Sequence, residues 1–232
     1  MKYLKSTSCL LVSLFLITEV ITAQDWPGFE RYRKDNEKVL PPAPNEHRVV
    51  FMGNSITDEW IRVSPDFFKD KPYIDRGIGG QTSPQMLVRF RADVIKLKPK
   101  VVVILAGTND IAGNTGPSTL EMIEDNITSM AELARVNGIK VVLSSVLPAY
   151  AFPWKPGVEP AEKIAVLNEW IKSYAAKNNF IYVDYYSSMV DQRKGLKSEY
   201  SKDGVHPNAA GYKVMEGLVE VAISKAFKNR KQ

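Results

Sequence analysis

Three segments of the chain, RVVFMG (48–53), KVVVILAG (100–107) and IKVVLSSV (139–146), are near-continuous runs of Val, Ile and Leu. A strand with one face in water alternates apolar and polar residues. A strand that is apolar throughout is covered on both faces, as parallel strands are. YIDRG (73–77) and FIYVDYY (180–186) are two further strand candidates. Between the five lie SPQMLVRFRADVIKLK (83–98), STLEMIEDNITSMAELARVNG (118–138) and EPAEKIAVLNEWIKSYAAKNN (159–179), all with helical spacing, and a last helix is predicted over 208–228. Ser118 and Glu159-Pro160 read as start signals, Gly138 and Asn179 as stop signals. Strands alternating with helices in this way specify one α/β domain with a five-stranded parallel sheet.

Outside that alternation the chain reads differently. Residues 1–23 carry Lys2 and Lys5, an apolar run from about Cys9 to Ile17, and Ile21-Thr22-Ala23 before Gln24. This is the pattern of a signal peptide, and the run is shorter than the ~20 apolar residues a membrane span needs. It predicts an exported protein, periplasmic or secreted, without stable membrane insertion after cleavage. Residues 24–46 read as a polar helix, QDWPGFERYRKDNEKVL, followed by the proline-stiffened linker PPAPNE. Residues 47–232 form the remaining domain. Hydrophobic residues at 44% and charged residues at 25% exclude a disordered chain, and the single cysteine excludes an internal disulfide or thiolate cluster. The net charge of +5 comes with no Lys/Arg block, so it solvates the surface and implies no nucleic-acid partner.

In open α/β sheets, ligands bind beyond the carboxyl ends of the strands. Four short motifs fall there. The first strand ends in Gly53-Asn54-Ser55-Ile56-Thr57, with a helix predicted to start near Ser55. The second ends in Gly77-Ile78-Gly79-Gly80-Gln81-Thr82, which reads either as a flexible turn or as backbone N–H groups held close to a ligand. It lacks the spacing of a phosphate-binding loop. The third ends in Gly107-Thr108-Asn109-Asp110, and Asp203-Gly204-Val205-His206-Pro207-Asn208 precedes the last helix. If Ser55 is a nucleophile it needs a base, and the chain has two histidines. His47 starts the first strand, at the wrong edge of the sheet. His206 is left, with Asp203 placed to accept from its other ring nitrogen.

Together the four blocks, GNSIT, GIGGQT, GTND and DGVHPNAAGY, resemble those of the SGNH hydrolases, the GDSL-type esterases and lipases, in the family's order and over Val49 to about Tyr212. The layout is close to the platelet-activating-factor acetylhydrolase-like and bacterial carbohydrate acetylesterase branches. Asn54 stands where the name-giving motif has aspartate. The resemblance implies a three-layer α/β/α sandwich of flavodoxin-like topology and an acyl-enzyme mechanism without metal or other cofactor. It assigns Ser55, Asp203 and His206 as catalytic, and the Ser55 N–H, Gly80 and Asn109 as the oxyanion hole. The expected substrate is a small-molecule or glycan ester, with acetyl on carbohydrate favoured. A lysophospholipase or thioesterase of the same fold is the alternative, and an inactive carbohydrate-binding module a third reading. Tyr150, Phe152 and Trp154, in the loop after the fourth strand, are candidates for stacking on the substrate. The sequence does not decide the oligomeric state.

Overall fold

The computed structural model describes residues 25–229. The signal-peptide reading of residues 1–23, Cys9 included, lies outside the described residues. The chain runs through α1 (Phe29–Lys38), β1 (Val49–Gly53), α2 (Ser55–Asp58), α3 (Trp60–Val63), β2 (Tyr73–Gly77), α4 (Ser83–Asp93) and β3 (Val101–Leu105). It continues through α5 (Thr108–Ile111), α6 (Leu120–Val136), β4 (Lys140–Ser144), α7 (Ala161–Asn178), β5 (Ile181–Val183), α8 (Tyr186–Met189) and α9 (Ala209–Lys228). All strand pairs are parallel, in the order β2-β1-β3-β4-β5. The winding reverses between β1 and β3, which opens a crevice at their carboxyl ends.

The apolar runs are explained by two cores. Side chains alternate across a strand, so Val50 and Met52 of β1 join Val102 and Ile104 of β3 on the face covered by α4, α6 and α7. Val49 and Phe51 join Val101 and Val103 on the opposite face, under Trp60 and the α9 residues Tyr212, Met215 and Val219. Each such side chain taken fully out of water contributes ~1.5–3 kcal/mol. Among the described residues no helix is long and apolar enough to cross a membrane.

Elements end where the backbone finds other partners. The segment 180–186 leaves the sheet after Val183, because the Ser145 hydroxyl accepts the N–H groups of Tyr185 and Tyr186, both at 2.9 Å, and turns the chain into α8. The predicted helix 83–98 stops at Asp93 and continues as a 3-10 turn, Ile95–Leu97. Lys98, the residue before Pro99, then takes a left-handed conformation, φ 51°, and ends the turn. The starts of α6 and α9 are capped by Thr119, one residue after the expected Ser118, and by Asn208, each side chain accepting a helix N–H.

The N-terminal helix is docked on the domain. Asp25 caps α1 by accepting from the N–H groups of Phe29 and Glu30. Tyr32 is buried, and its hydroxyl donates to the Gly77 carbonyl at the end of β2. Gln81 donates to the Pro27 carbonyl at 2.7 Å and Gln85 to that of Trp26 at 2.6 Å. These bonds join α1 to the turn after β2.

Candidate active site

Gly53 ends β1 and the chain turns at once into α2, where Asn54 is the cap: its side chain accepts the Ile56 N–H at 3.1 Å. Ser55 is the first residue of α2, so its own N–H has no acceptor within the helix. The end of β2 packs tightly on this helix. A Cβ on Gly77 would stand 2.1 Å from the Asp58 nitrogen, which only glycine avoids.

The last loop brings His206 to the serine. Ser55 Oγ and His206 Nε2 are 2.9 Å apart, and His206 Nδ1 lies 2.7 Å from Asp203 Oδ2. Asp203 Oδ1 meanwhile accepts from the backbone N–H groups of His206 (2.8 Å) and Val205 (2.9 Å) and from the Ser201 hydroxyl (3.1 Å). Partial burial raises the Asp203 carboxyl, but the hydrogen bonds from the His206 side chain and the two backbone N–H groups outweigh it and hold the carboxyl down at about 2. The acid therefore stays ionised through the neutral range. It can fix the ring so that Nε2 faces the serine oxygen as an acceptor.

A cavity of about 230 Å³ opens over this pair, lined by Ser55, Gly80, Asn109, Asn114, Trp154 and His206. Gly80 has φ 77°, a left-handed turn, and its N–H has no hydrogen-bond partner among the described residues. Asn109, buried at the start of α5, donates one amide hydrogen to the Gln81 carbonyl at 2.9 Å. A side-chain amide carries two such hydrogens, so the anchored group keeps one for the cavity. Behind it, Asp110 accepts from the Ser83 N–H at 2.9 Å and the Ser83 hydroxyl at 2.5 Å, which ties the turn after β3 to the start of α4. Burial raises the Asp110 carboxyl, against the lowering by those bonds. Deeper still, the buried Arg89–Asp93 ion pair (2.9 Å) supports the floor, with Arg89 donating to the Gly53 carbonyl and to Gln81 Oε1.

The five residues named from the sequence therefore meet in one place, while the three aromatic candidates separate. Trp154 lies with its ring 6.0 Å from that of His206 and lines the cavity. Phe152 is 1% exposed and packs in the core beneath Trp154, ring centroids 5.0 Å apart, so it is corrected to a supporting residue that no substrate reaches. Tyr150 is exposed and lies outside the cavity, under the Arg193 guanidinium at 5.3 Å. His47 sits at the far edge of the sheet, stacked on Phe227. Asn114 was missed. It accepts from Trp154 Nε1 at 3.1 Å and donates to the Gly80 carbonyl at 3.0 Å, bridging the aromatic wall to the Gly80 turn. Its signal was the extension of GTND through Gly113-Asn114, a turn within the reach of the same strand end. Among the described residues no group of three or more His, Cys, Asp or Glu side chains is placed to hold a metal ion.

Comparison with known proteins adds four findings. A sequence model of the GDSL-like lipase/acylhydrolase family matches residues 51–214. A solved structure from Bacteroides fragilis NCTC 9343, described as an acylhydrolase, is 55% identical, covering 87% of this chain and 98% of its own, with a TM-score of 0.86. The platelet-activating factor acetylhydrolase IB subunit alpha2 of Rattus norvegicus is 25% identical over 210 residues, 86% of each chain. The Bacillus subtilis lipoprotein YqeF is 36% identical over 78 residues, and there the chain spans 32% of its relative's length.

Proposed function

Because the chain belongs to the GDSL-like lipase/acylhydrolase family and is a carboxylic ester hydrolase, we propose that it is exported and removes acetyl and other short acyl groups from carbohydrate, with Ser55 as the nucleophile. The carrying observation is the unbroken chain Ser55–His206–Asp203, at 2.9 and 2.7 Å, facing one small cavity with the donors of Gly80 and Asn109. His206 Nε2 takes the hydroxyl proton as Ser55 Oγ attacks the ester carbon. The carbonyl oxygen becomes an oxyanion, met by the N–H groups of Ser55 and Gly80 and the Asn109 amide. Each donor held in place beforehand contributes ~3 kcal/mol to the barrier reduction. His206 returns the proton to the leaving alcohol, and the acyl group stays on Ser55. Water then attacks that ester, giving its proton to His206, and the carboxylic acid leaves as the serine hydroxyl is restored.

Short acyl groups are favoured by the size of the cavity, about 230 Å³, near the lower limit of ~300 Å³ for ligand pockets. The acetyl specificity in the name of the rat relative supports the same reading. Trp154, 40% exposed beside His206, is a platform on which a sugar ring can stack. The charged start and short apolar run of residues 1–23 support export. The experiment is a p-nitrophenyl ester series from acetyl to dodecanoyl. The highest kcat/KM is expected at acetyl, with a fall by butyryl; a maximum at octanoyl or beyond overturns the short-chain reading and favours a lysophospholipase or thioesterase.

A further inference from the structure

Ser55 borders a second and larger cavity. A groove of about 730 Å³ leads from Ser55 and Gly79, along the edge strand β2, to Tyr73 and Val39. One wall is α1, with Arg31, Tyr32 and Asp35; the other is formed by Asp58, Glu59, Ile61 and Arg62 at α2 and α3. The α1 wall precedes residue 51, so it lies outside the stretch matched by the family. Neither His206 nor Asn109 lines the groove, which makes it distinct from the reaction cavity although continuous with it at the serine.

The chemistry of the walls narrows the occupant. Arg31 pairs with Asp58 at 3.2 Å and Arg62 with Glu59 at 3.1 Å, so charge of both signs is spread along the groove and cancels locally. An anion would meet Asp58 and Glu59, and a cation would meet Arg31 and Arg62. A long acyl chain would have to strip water from both pairs with nothing to replace it, a cost that apolar contact with Ile61 and Val39 does not offset. At the floor, Asp75 accepts the Gly77 N–H through Oδ1 at 2.7 Å, whereas its Oδ2 is buried without a hydrogen-bond partner among the described residues. An unpaired buried acceptor calls for a donor. A neutral ligand dense in hydroxyls, each able to donate and accept, is the one class that answers all these groups together.

We propose that this groove is a saccharide subsite, holding the sugar units next to the one that bears the ester, with Ile61, Arg62 and Asp75 among its contacts. The proposal rests on the carbohydrate-ester reading above and adds to it a preference for oligosaccharides over single sugars. Burial pushes the Asp75 carboxyl up to about 7.

The test compares p-nitrophenyl acetate, O-acetylated monosaccharides and O-acetylated trisaccharides of xylan, cellulose and chitin type. With the unaltered chain, kcat/KM should rise about tenfold from the best monosaccharide to its trisaccharide, the worth of one or two net hydrogen bonds. Ile61 and Arg62 are exposed, so Ile61→Trp and Arg62→Ala should fold, and circular dichroism checks that they do. Both should erase the trisaccharide gain through KM. A gain that survives Ile61→Trp, or an equal loss on all three substrates, would overturn the subsite while leaving the carbohydrate reading intact. If p-nitrophenyl acetate is cleaved and no acetylated saccharide of either length is, the carbohydrate reading fails and the subsite with it.

Discussion

At the amino ends of the strands the chain answers its own polar groups. Arg48, before β1, donates to the carbonyls of Leu97 (2.7 Å) and Leu40 (2.9 Å) and pairs with Glu46 at 2.6 Å. Lys140, opening β4, donates to the carbonyls of Ala226, Phe227 and Asn229 at the end of α9, and His47 stacks on Phe227. At the carboxyl ends the same kinds of atoms are kept waiting. The N–H groups of Ser55 and Gly80 have no acceptor among the described residues, and His206 is strung between Ser55 and Asp203. Strand direction accounts for the contrast. A parallel strand feeds a helix N-terminus at its carboxyl end, where N–H groups emerge unpaired, and receives carbonyl-rich helix ends at the other. Cations placed among carbonyls are structural; a serine and donors placed among unpaired N–H groups are available for chemistry.

The largest effects should follow from breaking the reactive end. Ser55→Ala and His206→Ala should each lower kcat by ~10⁴-fold or more, because the two act as a unit, while His47→Ala should stay within about twofold, as substitutions away from key contacts do. Steady-state kinetics on p-nitrophenyl acetate checks this; comparable losses at the two histidines would erase the contrast between the ends. Asn109→Ala should reduce kcat by ~10²–10³ with KM little changed, since its free amide hydrogen is needed chiefly in the transition state. A matching fall in thermal stability would mark Asn109 as a turn residue first.

The opposite end should respond in stability alone. Arg48→Ala leaves the buried Leu97 carbonyl and the part-buried Leu40 carbonyl without this donor and Glu46 without its partner, for a loss of about 2–3 kcal/mol in denaturant unfolding, with kcat per folded molecule unchanged. A drop in kcat at full folding would mean that the two ends communicate.

A further stability effect concerns Asp75, a polar group near the reactive end that the fold leaves half satisfied. Burial pushes its carboxyl up to about 7, whereas in the unfolded chain it ionises near pH ~4. Between those values the folded protein holds a proton that the unfolded chain has released, so this residue lowers stability progressively as pH rises from about 4 to about 7, and by a constant amount above. Asp75→Asn keeps the acceptor for Gly77 and removes the titration. Its gain in Tm over the unaltered chain should therefore be larger at pH 8 than at pH 5; an equal change at both values would place the carboxyl outside that window.

What could be read from the chain follows the range of the forces involved. Apolar runs with no polar alternation demand cover on both faces, and that local rule was enough for β1, β3 and β4; the alternation with helical segments supplied the other two strands and the order along the chain. The direction of each strand then separated His206 from His47, because only one histidine follows a strand end. The turns GNSIT, GIGGQT, GTND and DGVH each carry their own chemistry within a few residues, so Ser55, Gly80, Asn109, Asp203 and His206 were visible before any distance was known.

The docking of the N-terminal segment was decided elsewhere. Nothing within QDWPGFERYRKDNEKVL states that Tyr32 will reach Gly77 or that Gln81 and Gln85 will hold Pro27 and Trp26, since those partners lie 45 to 59 residues away. Composition made the segment a polar helix before a linker; tertiary contact made it one wall of a groove at the nucleophile. The aromatic loop divides in the same way. Tyr150, Phe152 and Trp154 have equal claims as residue types, and only packing sends Phe152 into the core, leaves Tyr150 under Arg193 and turns Trp154 toward His206. Local sequence determines backbone turns and strand faces because their energies are set within a few bonds. The direction of a loop side chain and the seating of a terminal helix depend on partners that only the finished fold brings near.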